Sequence, residues 1–400
     1  MIPAALERRW RDRRTDREGS LFDLDDGRDL DPRGVATLLA HGGLVGTTSL
    51  LADVEAVLRP LDPPRPSPSA GDLPSLDARA DRLWALLLDA VRAACEGRDR
   101  VRATLSGGLD SRAVAAAALA VNAPGLTFGT FGDHDAPDLP GARALAVALG
   151  RPHRVDVLPS GAALRHEARV WRATDGLGGP GSSPGAPTDA PWATECDVLL
   201  SGCAGDVIWG DTVAPGPSPA ARLRKLGVRP VPDVPWSPPA PEWASAGGAA
   251  AWANLHGRQR AVTWTGVLPR LEHTPVVPVL WHPPLLAFAL SLSSADRDGR
   301  VLVRRMLARH APDVSAEAVP PVKTAGVHAL DRAWRTDPGW QEALDRWTSD
   351  DPREVRAFEA IGVDRRAALR MIDQVRRGER ARAGFLGRLR ALRRWGLERA

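Results

Sequence analysis

The sequence predicts an α/β protein with a parallel, doubly wound sheet, and two observations lead to this class. Between residues 76 and 202, short apolar stretches alternate with segments whose apolar residues recur at helical spacing. Such alternation is typical of βαβ units, in which a crossover helix joins two parallel strands. In sheets of this kind ligands bind at the carboxyl ends of the strands. The loops that follow the strands are therefore the places to look for a site.

The predicted elements follow one another in a regular order. Apolar residues at helical spacing predict a first helix over residues 76–97. Buried strands are predicted at residues 101–105, 126–131, 153–158 and 196–202. Helices are predicted over residues 112–121 and 138–150, and the pattern is helical from about residue 215 onward.

The N-terminal part differs in composition from the rest of the chain. Residues 1–30 are polar, so we expect them to be loosely structured. Residues 62–75 are rich in Pro, Ser and Gly, which is typical of a linker. We therefore predict a short N-terminal part at 1–75 and a main domain at 76–400.

Composition excludes several classes of protein. The chain has 400 residues and three cysteines, too few and too irregularly spaced for a disulfide framework or a zinc site. No apolar run approaches the ~20 residues that span a bilayer. The N-terminus lacks the apolar core of a secretory signal. We therefore predict a cytoplasmic protein without a membrane span.

The most informative segment is "TLSGGLDSRA" at residues 104–113, where a predicted strand runs through Leu105 into a glycine turn and a helix. Gly107 and Gly108 let the backbone turn tightly and present its N–H groups. The hydroxyls of Ser106 and Ser111 add donors, and the helix N-terminus attracts anions. The segment therefore predicts a pyrophosphate cradle made by Leu105, Ser106, Gly107, Gly108, Asp110 and Ser111.

Asp110 is a carboxylate inside a predicted phosphate site. Like charges there would repel unless a cation lay between them. The position therefore predicts Mg²⁺ bridging Asp110 and the phosphates. The P-loop pattern GxxxxGK[ST] does not match this segment.

The string S-G-G-L-D-S after a buried strand resembles the loop of the N-type ATP pyrophosphatases, and within them the asparagine synthetase family. The resemblance implies a fold of the adenine nucleotide alpha hydrolase-like type with a helical C-terminal portion. It also implies an ATP- and Mg²⁺-dependent ligase that activates a carboxylate as its adenylate, releases pyrophosphate, and lets an amine or ammonia displace AMP.

Two further segments extend the resemblance. "LLSGCAGDVIWGD" at 199–211 resembles the second loop of the family, which implies that Ser201 and Gly202 touch the nucleotide and that Asp206 is a second Mg²⁺ ligand. "LTFGTF" at 126–131 resembles the family's second strand, where Thr130 and Phe131 would meet the adenine. In all, the resemblance covers roughly residues 76–335.

Lys323 is one of only two lysines among 53 basic residues, the other being Lys225. It lies in "VKTAGV", which resembles the lysine loop of the family. The resemblance implies that Lys323 is catalytic and stabilises the charge that develops at the α-phosphate. A compact ammonium on a flexible stem suits this role better than a planar guanidinium. Lys225 has no motif around it.

The chain departs from the family's pattern at several positions. Position 2 is Ile2 rather than the glutaminase cysteine, so we expect no glutamine hydrolysis and a nitrogen supplied as ammonia or as a substrate amine. Cys203 stands where relatives have Glu or Tyr, and we expect it to be a small loop filler. The family's Asp near residue 281 is replaced by His282 or Trp281.

These departures leave three functions open. The first is a generic ligase of the family acting on a small-molecule or peptide carboxylate. The second is a lasso-peptide macrocyclase, which would join a peptide's side-chain carboxylate to its own N-terminal amine. The third is a non-catalytic, nucleotide-binding partner subunit.

The C-terminal segment "ARAGFLGRLRALRRWG" places apolar residues on one helical face and arginines opposite. We expect a terminal helix that packs on the core and keeps a solvated cationic face. The alternatives are a membrane surface, an acidic partner protein or RNA. Nucleic acid is not expected as a general partner, because the net charge is only +4.

Overall fold

The computed structural model describes residues 9–44, 46–57, 61–132, 136, 138–159, 162–179, 182–183, 185–210, 239–316, 338–348, 351–377 and 383–399. The strands are β1 (Trp10–Asp12), β2 (Glu18–Gly19), β3 (Val54–Ala56), β4 (Val101–Thr104), β5 (Thr127–Gly132), β6 (His153–Val157), β7 (Val198–Ser201) and β8 (Val276–Pro278).

The α-helices are α1 (Leu21–Leu24), α2 (Pro32–His41), α3 (Leu76–Cys95), α4 (Leu109–Ala120), α5 (Asp138–Ala148), α6 (Ala162–Arg165), α7 (Glu167–Ala173), α8 (Asp189–Ala193), α9 (Gly205–Ile208), α10 (Ala246–Asn254), α11 (Leu268–Leu271), α12 (Pro283–Leu290), α13 (Ser294–Arg297), α14 (Val301–His310), α15 (Pro312–Ala316), α16 (Pro338–Thr348), α17 (Pro352–Ala360), α18 (Arg365–Arg376) and α19 (Ala383–Arg399). A π-helix, Leu255–Thr263, follows α10 directly.

A parallel five-stranded sheet forms the centre of the main domain, with the order β6-β5-β4-β7-β8. Ala103 on β4 pairs with Phe128 on one side and with Leu200 on the other. Helices flank the sheet, which confirms the predicted α/β class and agrees with the adenine nucleotide alpha hydrolase-like fold.

The edge strand β8 was not predicted as a strand. It has three residues and ends in Pro278, so it is too short to show a period in the sequence. It is extended because its backbone pairs with β7, where Leu200 lies opposite Val277. Here the tertiary partner, and not local propensity, decides the conformation.

The long helix α3 shows why the flanking helices form where they do. The side chain of Ser75 accepts a hydrogen bond from the backbone N–H of Ala78 and so caps the helix start. Leu83, Leu87 and Val91 recur every four residues and are fully buried. They belong to the main hydrophobic cluster, which also contains the strands β4 and β7.

A second hydrophobic cluster corrects the expectation for residues 1–30. Trp10 and Leu21 are buried there together with Trp340 and Trp395 from the other end of the chain. The strands β1–β3 form a small antiparallel sheet beside them. Residues 9–30 have few apolar side chains, but the C-terminal helices supply the surface that covers them, so these residues are structured rather than loose. Residues 1–8 lie outside the described residues.

The Pro-rich stretch is anchored to the main domain. Ser69 and Asp72 cap a short 3₁₀ turn, and the N–H of Ala70 donates to Ser291 Oγ at 2.9 Å. The division into 1–75 and 76–400 stays a prediction. The buried clusters divide the molecule differently, because one of them joins both ends of the chain.

The C-terminal helix α19 packs on this second cluster through Leu386, Leu389, Leu392 and Trp395. The expectation of a solvated cationic face is wrong for Arg390 and Arg393, which pair with Glu167 and Glu354 and are largely buried. Arg394 lies 4.5 Å from the centre of the Trp171 ring but stays partly exposed beside Glu398. Two of these cations are therefore used inside the protein.

None of the helices in the described ranges is long and apolar enough to cross a bilayer.

Candidate active site

The first loop connects β4 to α4 in the way the glycine pattern predicts. Gly107 has a φ of +75°, which a residue with a side chain rarely adopts. The Ser106 N–H donates to Ser111 Oγ at 3.1 Å, and that hydroxyl donates to the Gly108 carbonyl at 3.2 Å. No side chain caps α4 at Gly108, so the N–H groups of its first turn are not bound by a capping side chain.

The second loop connects β7 to the short helix α9. The N–H of Cys203 donates to Ser201 Oγ at 3.2 Å, and Ala204 has a left-handed φ of +70°. Because β7 is the direct neighbour of β4, both loops leave the same edge of the sheet.

The two loops touch at Asp110, and two glycines make this contact possible. A Cβ on Gly202 would lie 2.8 Å from the Asp110 carbonyl carbon. A Cβ on Gly205 would lie 2.3 Å from Asp110 Cγ, well inside any real contact distance. Asp206 follows Gly205 directly, and its backbone lies close enough to the Asp110 carboxylate to lower the pKa of that group. The tertiary structure thus brings Asp110, Gly202 and Asp206 together.

The Asp110 carboxylate is largely removed from water, and two residues offset the cost of burying its charge. Burial raises the pKa of Asp110, while the Arg300 charge and the Trp209 hydrogen bond hold it down and the Asp206 charge raises it further. The Trp209 indole donates to Asp110 Oδ1 at 2.8 Å, and Arg300 Nη1 lies 3.3 Å from the same oxygen. The carboxylate is therefore oriented before any ligand arrives.

Both loops lie within the part of the chain that matches a known protein family. The sequence model of the family described as asparagine synthase matches residues 82–311, more than half of the chain. The chain belongs to the asparagine synthase family. A comparison with curated proteins found no match. Membership of the family indicates an ATP-dependent, amide-forming carbon–nitrogen ligase.

The family match contains both loops but ends before Lys323. Lys323 and Lys225 lie outside the described residues, so the role of Lys323 stays a prediction.

The donor set fits the Mg²⁺ that the family generally uses. Asp110 and Asp206 carry hard carboxylate oxygens on adjacent loops, which would suit a cation that is also held by phosphates. No group of three or more His, Cys, Asp or Glu side chains within the described ranges could hold a metal by itself. The two carboxylates would therefore share the ion with the nucleotide, and the ion would supply charge neutralisation at the phosphates.

Thr130 and Phe131, predicted near the adenine, end β5 beside the first loop. The Thr130 hydroxyl donates to the Leu105 carbonyl at 2.5 Å, so these two predicted residues are neighbours. Because that proton is used, His153 Nε2 must donate to Thr130 Oγ1, from which it lies 2.8 Å away. Phe131 lies beneath the Arg270 guanidinium, 5.2 Å from it, which limits how its ring can turn.

Nothing in the sequence singled out Arg300, whereas Trp209 lies in a segment that the resemblance had already marked. Trp209 is the aromatic residue that the family places after the second loop. Arg300 looked like any helix arginine in "RDGRVLVRRML". It is set apart by backbone geometry alone, since both Gly299 and Arg300 have left-handed φ angles, +57° and +56°, before α14 begins.

Cys203 and His282 occupy the positions where this chain departs from the family. Burial and the charges of Asp206 and Asp110 raise the pKa of Cys203 to about 12. Such a thiol cannot act as a base near neutral pH, which agrees with a filler role. Burial lowers the pKa of His282, which begins α12 as a half-buried, neutral side chain.

Proposed function

We propose that this protein is an AMP-forming carboxylate–amine ligase whose ATP site lies between the two glycine loops. The observation that carries the proposal is the contact of Gly202 and Gly205 with Asp110. A close approach of this kind has a structural cost, since both positions exclude any side chain. It is useful if two carboxylates must share one cation with a pyrophosphate group.

In the proposed reaction a substrate carboxylate oxygen attacks the α-phosphorus of ATP, and the bond to the β-phosphate oxygen breaks. The first loop and the N-terminus of α4 bind the departing pyrophosphate. Asp110 and Asp206 would hold Mg²⁺, which would supply charge neutralisation there. An amine then attacks the acyl carbon, loses a proton and displaces AMP. Lys323 is proposed to stabilise the charge at the α-phosphate in both steps.

The amine donor is proposed to be ammonia or a substrate amine. Glutamine hydrolysis would require a reactive thiolate, and the three cysteines of the chain are poor candidates. Burial raises the pKa of Cys95 to about 11 and raises that of Cys196 as well. Cys203 has a pKa of about 12.

The test is ATP–pyrophosphate exchange with a panel of amino acids and of peptides that bear Asp or Glu. Asp110→Asn and Asp206→Asn should each lower exchange by at least about 100-fold. Removing Mg²⁺ with a chelator should abolish it. Asp89→Asn is the matched control, because Asp89 is exposed and, among the described residues, forms its ion pair with Arg92 on the same helix. Full exchange in Asp110→Asn would disprove the site.

The substrate panel also separates the alternatives. Exchange with free amino acids would favour a small-molecule ligase. Exchange that requires a peptide with its own free N-terminus would favour the macrocyclase. Tight MgATP binding without exchange on any carboxylate would favour the non-catalytic subunit and would reject the proposed reaction.

A further inference from the structure

The Arg270 guanidinium lies against two aromatic rings at the carboxyl end of β5. Its central carbon is 5.2 Å from the centre of the Phe131 ring and 4.8 Å from the centre of the Trp192 ring. The two rings also contact each other edge to face, with their centres 6.0 Å apart. Arg270 is buried, whereas Phe131 is only half-buried. A cation therefore covers one face of the Phe131 ring, and another part of the ring stays open to a ligand.

The hydrogen bonds of Arg270 fix its guanidinium in this place. Nε donates to Asp189 Oδ1 at 2.7 Å, and Nη2 donates to the Gly185 carbonyl at 3.1 Å and to Thr188 Oγ1 at 2.9 Å. Asp189 is buried as well. A buried ion pair of this kind is seldom more stable than apolar residues that fill the same volume. Its value here lies in the fixed geometry that it imposes on the guanidinium.

Gly185 shows how closely the ring is confined. A Cβ at this position would lie 2.6 Å from Phe131 Cζ and 2.6 Å from Arg270 Nη2, closer than real Cβ atoms approach other atoms. Only glycine therefore lets this turn reach the tip of the ring. With Gly185 at the tip and Arg270 on one face, the Phe131 ring presents its other face in a single orientation.

The ring lies next to the first loop. Thr104 on β4 pairs with Gly129 on β5, and the Leu105 N–H donates to the Gly129 carbonyl at 2.9 Å. The same register places Phe131 beside Ser106, with which the loop begins. Neighbouring strands lie only about 4.8 Å apart. A nucleoside whose phosphates occupy the loop would therefore reach this ring.

We propose that Arg270 is a positioning residue that holds Phe131 as a stacking platform for the base of ATP. The inference rests on the proposed function and adds a source of affinity for the base. Nucleobases stack on aromatic side chains through their π-faces. A ring that a cation already holds loses little freedom when the base arrives, so more of the stacking is realised as affinity. The phosphates, which the first loop binds, do not need this platform.

Arg169 provides a matched comparison. Its Nη2 donates to the other oxygen of the same carboxylate, Asp189 Oδ2, at 2.7 Å. Its remaining hydrogen bonds, within the described ranges, go to Ala186, Pro269 and Glu272. Arg169 therefore shares the buried carboxylate with Arg270 but does not contact the Phe131 ring. It also keeps Asp189 paired when Arg270 is replaced.

Equilibrium titrations with MgATP and with magnesium tripolyphosphate test the platform without relying on turnover. Tripolyphosphate has the phosphates of ATP and no base. Arg270→Met should raise the Kd for MgATP about fivefold, and Phe131→Ala should raise it about tenfold. The Kd for tripolyphosphate should stay within about twofold in both variants, because stacking involves only the base. Arg169→Met should change neither constant.

The double variant tests whether Arg270 acts through the ring. If it does, adding Arg270→Met to Phe131→Ala should weaken MgATP binding by less than about twofold further, since no ring is left to hold. A full additional fivefold loss would show that Arg270 acts on the nucleotide by another route and would reject the inference.

The remaining outcomes separate the inference from the proposed function. If neither ligand binds the wild-type protein, the proposed function fails and the inference fails with it. If MgATP binds the wild type and Phe131→Ala equally well, only the platform is disproved. If Arg270→Met weakens both ligands alike, or if Arg270→Met and Arg270→Lys both fail to fold, Arg270 is a structural residue and the inference is rejected.

Discussion

Arg300 Nη1 lies 3.3 Å from Asp110 Oδ1, although 190 residues separate the two in the chain. This pair joins the N-terminus of α14 to the first nucleotide loop. The Arg300 guanidinium also lies beside the segment that follows α9, since a Cβ on Gly210 would lie 3.1 Å from its Nε. It is therefore a cation placed where two carboxylates and a pyrophosphate are proposed to meet.

Arg300→Met should weaken MgATP binding about tenfold, because the mutation removes one positive charge from a partly desolvated, anionic site. Arg300→Lys should recover part of the loss. Equilibrium titration with MgATP measures both. Arg304→Met is the control, since Arg304 is exposed and, within the described part of the chain, its side chain donates to the Gly299 carbonyl. Unchanged affinity in Arg300→Met would remove this residue from the site.

Gly205→Ala should lower ATP–pyrophosphate exchange about 100-fold, because the added Cβ must push the second loop away from Asp110 and displacements of this size misalign reacting groups. Some loss of global stability should accompany this, since Ala204 and Val207 beside the clash are buried and the backbone there must shift. Gly387→Ala is the control, because a Cβ there meets no atom within 4 Å. Equal exchange in both variants would contradict the close-approach argument.

His256 should make the protein less stable in mild acid. Burial, together with the nearby Arg260 charge, lowers the pKa of His256 to about 4. Its pKa in the unfolded chain is about 6.5, so below that pH the unfolded state binds a proton that the folded state does not. This contribution to stability is complete above pH ~6.5 and is lost as the pH falls toward ~4, on the order of 3 kcal/mol in all.

Urea unfolding at pH 7 and pH 4.5 measures this effect. Other histidines with lowered pKa values, such as His153 and His282, titrate in the same direction. The comparison with His256→Phe isolates the contribution of His256, and the variant should lose less stability between the two pH values. Parallel pH profiles for the two proteins would show that His256 takes up its proton while folded.

Trp10→Ala should destabilise the whole protein by about 3–5 kcal/mol, because it empties a large site in the second hydrophobic cluster. Trp10→Phe should cost less, about 1 kcal/mol, mainly through the lost hydrogen bond from the indole to Asp175 Oδ2. Denaturant curves read by circular dichroism measure both. If residues 1–75 folded independently, Trp10→Ala would leave the main unfolding transition unchanged.

Several features of the fold could be predicted from the sequence because they depend on residues that are neighbours in the chain. The four predicted strands, β4 to β7, begin and end within two residues of their predicted limits, since buried apolar runs and their glycine boundaries lie next to each other in the chain. The edge strand β8 and the N-terminal sheet were missed, because short segments become strands only when a distant partner pairs with them.

The amino-acid sequence by itself determined the parallel α/β class and the two glycine loops with Asp110 and Asp206, because strand period, glycine turns and motif order are all encoded in contiguous residues. Only the tertiary structure decided that Arg300 and Trp209 compensate Asp110, that Arg112 joins the first loop to α15, and that both ends of the chain share one core. The reason is physical. Burying a charge or a tryptophan is favourable only where partners from remote segments surround it, and such partners leave no period or spacing in the sequence.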